Sequence, residues 1–375
     1  MLDRFPHLPE LGILFLAGFF LTGGLTYLFY RLARAYQLLP VIRPRDVHTT
    51  RKPRVGGLAM WLAVVMLFIL AYLIGHDSLL NFGRPQLGGV DTALWAILAG
   101  MGIILIVGLI DDVKSLTWPY QLAGQLACAV ALVAGGVTVP YLRVPFYHVI
   151  SLDHAAIHLP AGGQVSLWGA VFTIIWTILM INVMNFFDGL DGLAGSVALT
   201  AAIVLFFVSM RIGFTAAVTL SVAVAGVAAG FLPWNWYPSK LFMGTVGSQL
   251  LGFLLAVIAI ISGGKVATAV LVLGIPVFDA GIVIVRRLMA HQSPFKADQR
   301  HLHHRLLKIG IATPWVVVII NVVAVVFGVL AIGSEQTSQK GELTILLAGC
   351  MAVFIAITYW LEHRKSILNS QDKRG

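Results

Sequence analysis

Charge is scarce in this chain. Only 11% of its 375 residues are Asp, Glu, Lys or Arg, well under the roughly 25% usual in soluble domains. Hydrophobic residues make up 59%, and the mean hydropathy is +0.91. That balance excludes a soluble globular protein and leaves a polytopic membrane protein. Cysteine is almost absent: Cys128 and Cys350 both lie within apolar runs, which excludes a disulfide framework and a cysteine metal site. Low-complexity segments, a repeat of fixed period and a separate soluble domain are also missing, so residues 1–375 read as one integral membrane domain. The first apolar run is too long for a signal-peptide core and lacks a small-residue cleavage site, and is read as a retained span.

What is present is a series of apolar runs, each near the 20 or so residues a spanning helix needs. Eleven are expected, at 11–30, 57–74, 93–110, 120–137, 167–181, 193–210, 215–231, 247–262, 266–285, 314–332 and 343–361. The fold class is therefore all-α. Of the 25 Lys and Arg residues, eighteen fall on one set of connections and six on the other. Basic residues are retained on the cytoplasmic side, which puts the N-terminus outside and the C-terminus in the cytoplasm. The basic balance follows this topology, and no nucleic-acid partner is expected. Recurring apolar and β-branched residues in 140–166 predict a small extracytoplasmic β-hairpin.

Nearly every polar cluster falls on the basic set of connections. His48, Lys52 and Arg54, leading to Gly56 and Gly57, form a loop whose basic groups and backbone N–H groups could hold phosphate; ordinary positive-inside charge is the plainer alternative. Asp111 and Asp112 end the third span, with Lys114 beyond. Adjacent carboxylates there call for a cation or a proton, and Mg²⁺ would suit; a solvated helix end is the alternative. Asn182, Asn185 and Asp188 recur three residues apart if the fifth span continues, and Asp191 extends the series until glycines break it. Interhelical hydrogen bonding alone would also explain that face. Asn235 and the Gly-Thr-Val-Gly-Ser turn at 244–248 are further site candidates, while Trp234, Trp236 and Tyr237 read as interfacial belt residues. Arg300, His301, His303, His304 and Arg305 close the set. A short helix would bring His301, His304 and Arg305 to one face, and the abundance of Arg favours an anion over zinc. Asp279 is expected to be paired within its span, about two turns before Arg286.

Four motifs in order, at 108–112, 182–194, 242–248 and 297–306, resemble the polyprenyl-phosphate N-acetylhexosamine-1-phosphate transferases. The family-like core spans about 41–310, leaving 311–375 for two last helices and a basic tail. The Asp298-x-x-His-Leu-His-His form is similar to the branch that uses UDP-GlcNAc or a related UDP-HexNAc. The resemblance implies transfer of a sugar 1-phosphate to undecaprenyl phosphate with release of UMP. This would occur at the cytoplasmic face of a bacterial inner membrane and initiate an O-antigen, teichoic acid or other surface glycan. It also implies Mg²⁺, with Mn²⁺ as a substitute, and leaves a homodimer open.

Carried over by position, Asp111 and Asp112 would be catalytic, and Asp112, Asn185 and Thr245 would meet the metal. Asn182, Asp188, Asp191, Asn235, Arg300, His301, His303 and His304 would hold the nucleotide sugar, and His48, Lys52, Arg54 and Lys114 the lipid phosphate. Thr245 departs from the family, which usually carries an Asp metal ligand there; a hydroxyl can ligate Mg²⁺ but adds no charge. A catalytically weakened relative that only binds is therefore a second reading. A secondary transporter is disfavoured, because its sites lie near the midplane between paired repeats.

Overall fold

Apolar runs become helices in a bilayer because each backbone N–H must find its acceptor within the segment. The computed structural model describes residues 7–37, 52–75, 78–143, 149–152, 155–158, 164–262, 266–291, 301–334 and 336–372. Along them run α1 (Leu8–Ala35), α2 (Gly56–Gly75), α3 (Thr92–Lys114), α4 (Trp118–Ala134), α5 (Leu167–Phe187), α6 (Leu193–Ile212) and α7 (Thr215–Asn235). They continue as α8 (Gly244–Ile261), α9 (Val266–Val272), α10 (Gly274–Met289), α11 (Leu302–Lys308), α12 (Thr313–Gly333) and α13 (Thr337–Asp372).

Nine of these helices, among the described residues, are long and apolar enough to cross a membrane. The expected eleven are thus met in part, and the two exceptions have physical causes. The fourth run yields only the 17 residues of α4, about 26 Å of helix against a hydrocarbon core of about 30 Å. The ninth run, expected as one span, breaks at Leu273 into α9 and α10, which meet at 88°.

At the centre stands α8, of whose 18 residues all but Gly244 and Ile261 are buried. Helices α2, α3 and α5 pack directly on it. Missing side chains permit that approach: a Cβ on Gly57 of α2 would lie 2.2 Å from the Gly247 nitrogen, and one on Gly108 of α3 would lie 2.7 Å from Val246. Outside this layer α1 lies against α7, and α12 against α6.

Two short hairpins occupy the region where one was expected, β3 (Tyr141–Arg143) with β4 (Val149–Ser151) and β5 (Ala156–His158) with β6 (Gln164–Ser166). A third pairs β1 (Gln86–Leu87) with β2 (Val90–Asp91). They lead into the N-termini of α3 and α5, where Asp91 accepts the Ala93 N–H and Ser166 the Gly169 N–H, each at 2.9 Å. The opposite ends of α3 and α5 carry the acidic motifs. Hairpins and polar clusters therefore lie at opposite ends of the bundle.

Candidate active site

The acidic pair at the end of α3 meets the start of α8. Asp111 is buried, and one of its oxygens accepts the Leu116 N–H and the Gln121 amide, each at 2.8 Å. Its other oxygen accepts the Thr245 hydroxyl at 2.6 Å. Asp112 accepts the Thr245 backbone N–H on both oxygens, at 2.9 and 3.1 Å. A carboxylate at a helix N-terminus meets free N–H groups and the positive end of the dipole. The repulsion expected between Asp111 and Asp112 is therefore met first by donors of the protein itself. Gly244 makes room for this: its φ is +68°, and a Cβ would sit 2.6 Å from an Asp112 oxygen.

The fifth span does continue through Asn182 and Asn185, ending at Phe187 with Asp188 as its C-cap. Its polar groups point to different partners rather than to one. Asn182 and Gln125 of α4 exchange amide hydrogen bonds at 2.6 and 3.3 Å, and Asn182 also donates to the Ile178 carbonyl. Asn185 accepts the Ser248 hydroxyl of α8 at 3.0 Å. Asp188 lies in the field of Asp112 and Arg54. Burial, then the charge of Asp112, push its carboxyl well above the usual carboxylate range, opposed by the Arg54 guanidinium. Asp191, beyond the helix, accepts the Ser239 N–H and hydroxyl at 2.9 and 2.7 Å and pairs with Lys52 at 3.5 Å. Asn235 ties the Gly192 N–H to the Leu241 carbonyl. Asp191 and Asn235 thus hold neighbouring connections together.

Those contacts correct the expectation for the glycine loop. The Gly56 N–H donates to the Phe242 carbonyl at 3.1 Å and the Gly57 N–H to that of Met243 at 2.8 Å, so neither is open to an anion. Lys52 is engaged with Asp191, Ser239 and the face of Phe242. Among the described residues of this loop, Arg54 is the basic group that acts on both Asp112 and Asp188. Lys114 is exposed on the last turn of α3. His48 and Arg300 lie outside the described residues.

The histidines sit beside the turn after α5. Asp279 is paired, though with His301 rather than near Arg286: one oxygen lies 2.8 Å from the His301 Nδ1, and the other accepts the Leu302 N–H that opens α11. His301 stacks on Phe186 and, nearly parallel, on His303. His303 is fully buried against Phe187, neither ring nitrogen has a hydrogen-bond partner among the described residues, and a Cβ on Gly189 would lie 2.5 Å from its Nε2. Burial, followed by His304 and His301, pushes its pKa well below the usual imidazole range, leaving a neutral ring. His304 is half-buried beside it. Arg305 turns instead to Tyr359 of α13, so the shared face expected for His301, His304 and Arg305 is not formed. His301 is the N-cap, outside the helical turn that the spacing assumed.

Among the described residues no group of three or more His, Cys, Asp or Glu side chains could by itself hold a metal ion. The nearby donors are nevertheless hard oxygens: the mutually repelling carboxylates of Asp112 and Asp188, and the Asn185 amide. This set suits a cation such as Mg²⁺, which commonly takes one or two carboxylates and completes its shell with phosphate and water. Gln121, Gln125 and Ser239 escaped the reading of motifs. The two glutamines had a signal, as amides four residues apart in an apolar run; Ser239 had none.

Residues 94–263 match Glycosyl transferase family 4. Over 369 residues the chain is 34% identical to the decaprenyl-phosphate N-acetylglucosaminephosphotransferase of Mycobacterium tuberculosis, covering 90% of this chain and 85% of that protein. It is 32% identical to the protein of the same name in Mycolicibacterium smegmatis, across 91% and 84% of the two. Identity is 28% to the probable undecaprenyl-phosphate N-acetylglucosaminyl 1-phosphate transferase of Bacillus subtilis, across 77% and 75%. With the relatives spanning most of both chains and the acidic motifs gathered at one end of a bundle of apolar helices, this multi-pass membrane protein belongs to glycosyl transferase family 4.

Proposed function

We propose that the protein transfers a HexNAc 1-phosphate, GlcNAc 1-phosphate in the first instance, from its UDP-sugar to undecaprenyl phosphate, releasing UMP. The observation that carries this reading is Asp112 on the Thr245 N–H at the start of α8, with Arg54 acting on it and on Asp188, Asn185 bonded to Ser248 of the same helix, and His303 against Gly189. The names of the relatives support a polyprenyl phosphate acceptor and an N-acetylglucosamine phosphate donor group. The asymmetry of Lys and Arg supports a site at the cytoplasmic face of a bacterial inner membrane.

In the reaction, an oxygen of the lipid phosphate forms a bond to the sugar-bearing phosphorus. The bond from that phosphorus to the bridging oxygen breaks, and UMP departs with that oxygen. Anion attacks anion, so alignment and charge neutralisation dominate the barrier. Asp112, Asp188 and Asn185 would hold Mg²⁺, or Mn²⁺ in its place, whose charge offsets the negative charge of the phosphates. On this reading Asp112 would take the proton of a lipid phosphate monoester, whose second pKa is about 6. Arg54 offsets the remaining charge. His301, fixed by Asp279, and His304 offer donors toward the diphosphate.

Thr245 motivates a second reading, a relative that binds nucleotide sugar or lipid phosphate without turnover: its hydroxyl is engaged with Asp111 and brings no charge to a metal. One experiment separates the two. Purified protein is incubated with undecaprenyl phosphate, Mg²⁺ and a panel of UDP-sugars, and UMP is measured. Mg²⁺-dependent UMP release with one UDP-HexNAc is expected. Saturable substrate binding with no UMP from any donor would establish the binding-only reading.

A further inference from the structure

The geometry points to Gln121 of α4 as a positioning residue for the proposed reaction: with Thr245 it closes a clamp on Asp111 that sets the direction of Asp112. The inference rests on the reading of function given above and assigns unequal work to two adjacent carboxylates. Asp111 is 2% exposed. Its first oxygen is shared by the Leu116 N–H and the Gln121 amide, and its second is taken by the Thr245 hydroxyl. These donors come from the α3–α4 connection, α4 and α8. Gln121 also donates to the Leu116 carbonyl at 3.2 Å, which fastens the connection that returns the chain from α3 to α4.

Successive residues of a helix point about 100° apart, so holding the Asp111 side chain fixes the rotation of the last turn of α3 and with it the heading of Asp112. Asp112 is then presented to the Thr245 N–H, within the field of Arg54 and Asp188. Thr245 serves both carboxylates, its hydroxyl on Asp111 and its N–H on Asp112. Asp111 acts through this geometry, while Asp112 faces the reacting groups. Gln121 lies outside all four motifs, and its only mark in the sequence is an amide in an apolar run.

The test uses the full-length purified protein and four variants: Gln121→Met, which keeps length and removes the donor, Gln121→Glu, Thr245→Val and Thr245→Ser. Steady-state UMP release is measured against both substrates, alongside hydrogen exchange of the peptide covering the end of α3. Loss of one buried donor to a carboxylate is expected to lower kcat about tenfold to a hundredfold in Gln121→Met and Thr245→Val. The KM for the UDP-sugar should stay within about twofold, since these residues act on orientation rather than on ground-state binding. Thr245→Ser should recover activity to within about threefold of wild type, because the hydroxyl donor is restored. Gln121→Glu should fall below Gln121→Met, because it sets a carboxylate against Asp111. Faster exchange at the end of α3 in Gln121→Met, with exchange in α8 unchanged, completes the expected pattern.

Wild-type kcat in Gln121→Met would overturn the clamp, as would a Thr245→Ser variant no better than Thr245→Val. A loss appearing wholly in KM would overturn it too. If the unaltered protein releases no UMP from any donor, the reading of function fails instead. The clamp is then judged by exchange alone, and unchanged exchange in Gln121→Met overturns it.

Discussion

The end of α3 and the turn after α5 each carry two closely spaced carboxylates, and each uses them unequally. In the first, Asp111 is enclosed by Leu116, Gln121 and Thr245 while Asp112 faces Arg54 and Asp188. In the second, Asp191 is enclosed by Ser239 and Lys52 while Asp188 faces Asp112 and Arg54. One member of each pair anchors a connection, and the other is presented to the candidate site. The difference between the pairs lies in their partners. Asp111 accepts the Gln121 amide and the Thr245 hydroxyl, whereas Asp191 accepts Ser239 and pairs with Lys52. Two acidic motifs of similar appearance thus divide into an enclosed half and a half turned toward the candidate site.

Neutralising the outward pair is expected to have the largest effect. Asp112→Asn and Asp188→Asn are each expected to lower UMP release by about a thousandfold or more, ~4 kcal/mol of transition-state stabilisation, with protein yield unchanged. Asp191→Ala should act on the scaffold instead. It removes the acceptor of the Ser239 N–H and hydroxyl and the ion-pair partner of Lys52, and a loss of about 1–3 kcal/mol in thermal or denaturant stability is expected, with kcat reduced less than in Asp188→Asn. Comparable kcat losses in the two variants would erase the distinction.

The pH dependence sharpens it further. The Asp188 carboxyl is raised above the ordinary range and Arg54 opposes that shift. In the metal-free protein the carboxyl therefore takes up its proton above the ordinary carboxylate value of about 4, and Mg²⁺ affinity, which needs the ionised form, falls as pH drops through the raised pKa. Removing the guanidinium in Arg54→Gln should move that acid limb to still higher pH, read from Mg²⁺ affinity against pH. An unmoved limb would detach Arg54 from Asp188.

Smaller effects are expected where the polar groups bond helix to helix. Gln125→Leu and Asn182→Leu should each cost about 0.5–2 kcal/mol, and the double variant less than their sum, since no amide is then left without a partner. Thermal denaturation of all three proteins measures the coupling.

Much of the site was legible in the sequence because polar groups inside apolar runs are costly and therefore conspicuous. Asp111, Asp112, Asp188 and the histidine segment stood out for that reason, as did the continuation of α5 through Asn185. The partners were less legible. Asn182, Asn185 and Asp188 share a helical spacing, yet α4 takes the first, α8 the second, and the field of Arg54 and Asp112 the third. Spacing along one helix describes a face, but not which neighbour lies against it. Gly56 and Gly57 resembled an anion loop, and the structure uses their N–H groups on the 242–243 backbone. Asp279 and His301 are 22 residues apart in sequence, a pairing that no local pattern announces.

Composition and order alone mark this chain as a many-helix membrane protein and mark the short stretches where polar groups interrupt its apolar runs. Hydropathy and the cost of buried charge act locally, so composition and order suffice for that. Only the tertiary structure decided which carboxylate of each pair is enclosed, where the ninth run bends, and that Thr245 serves both Asp111 and Asp112. Those outcomes depend on which helices lie side by side around α8, and directional hydrogen bonds form only once that packing brings their donors and acceptors together.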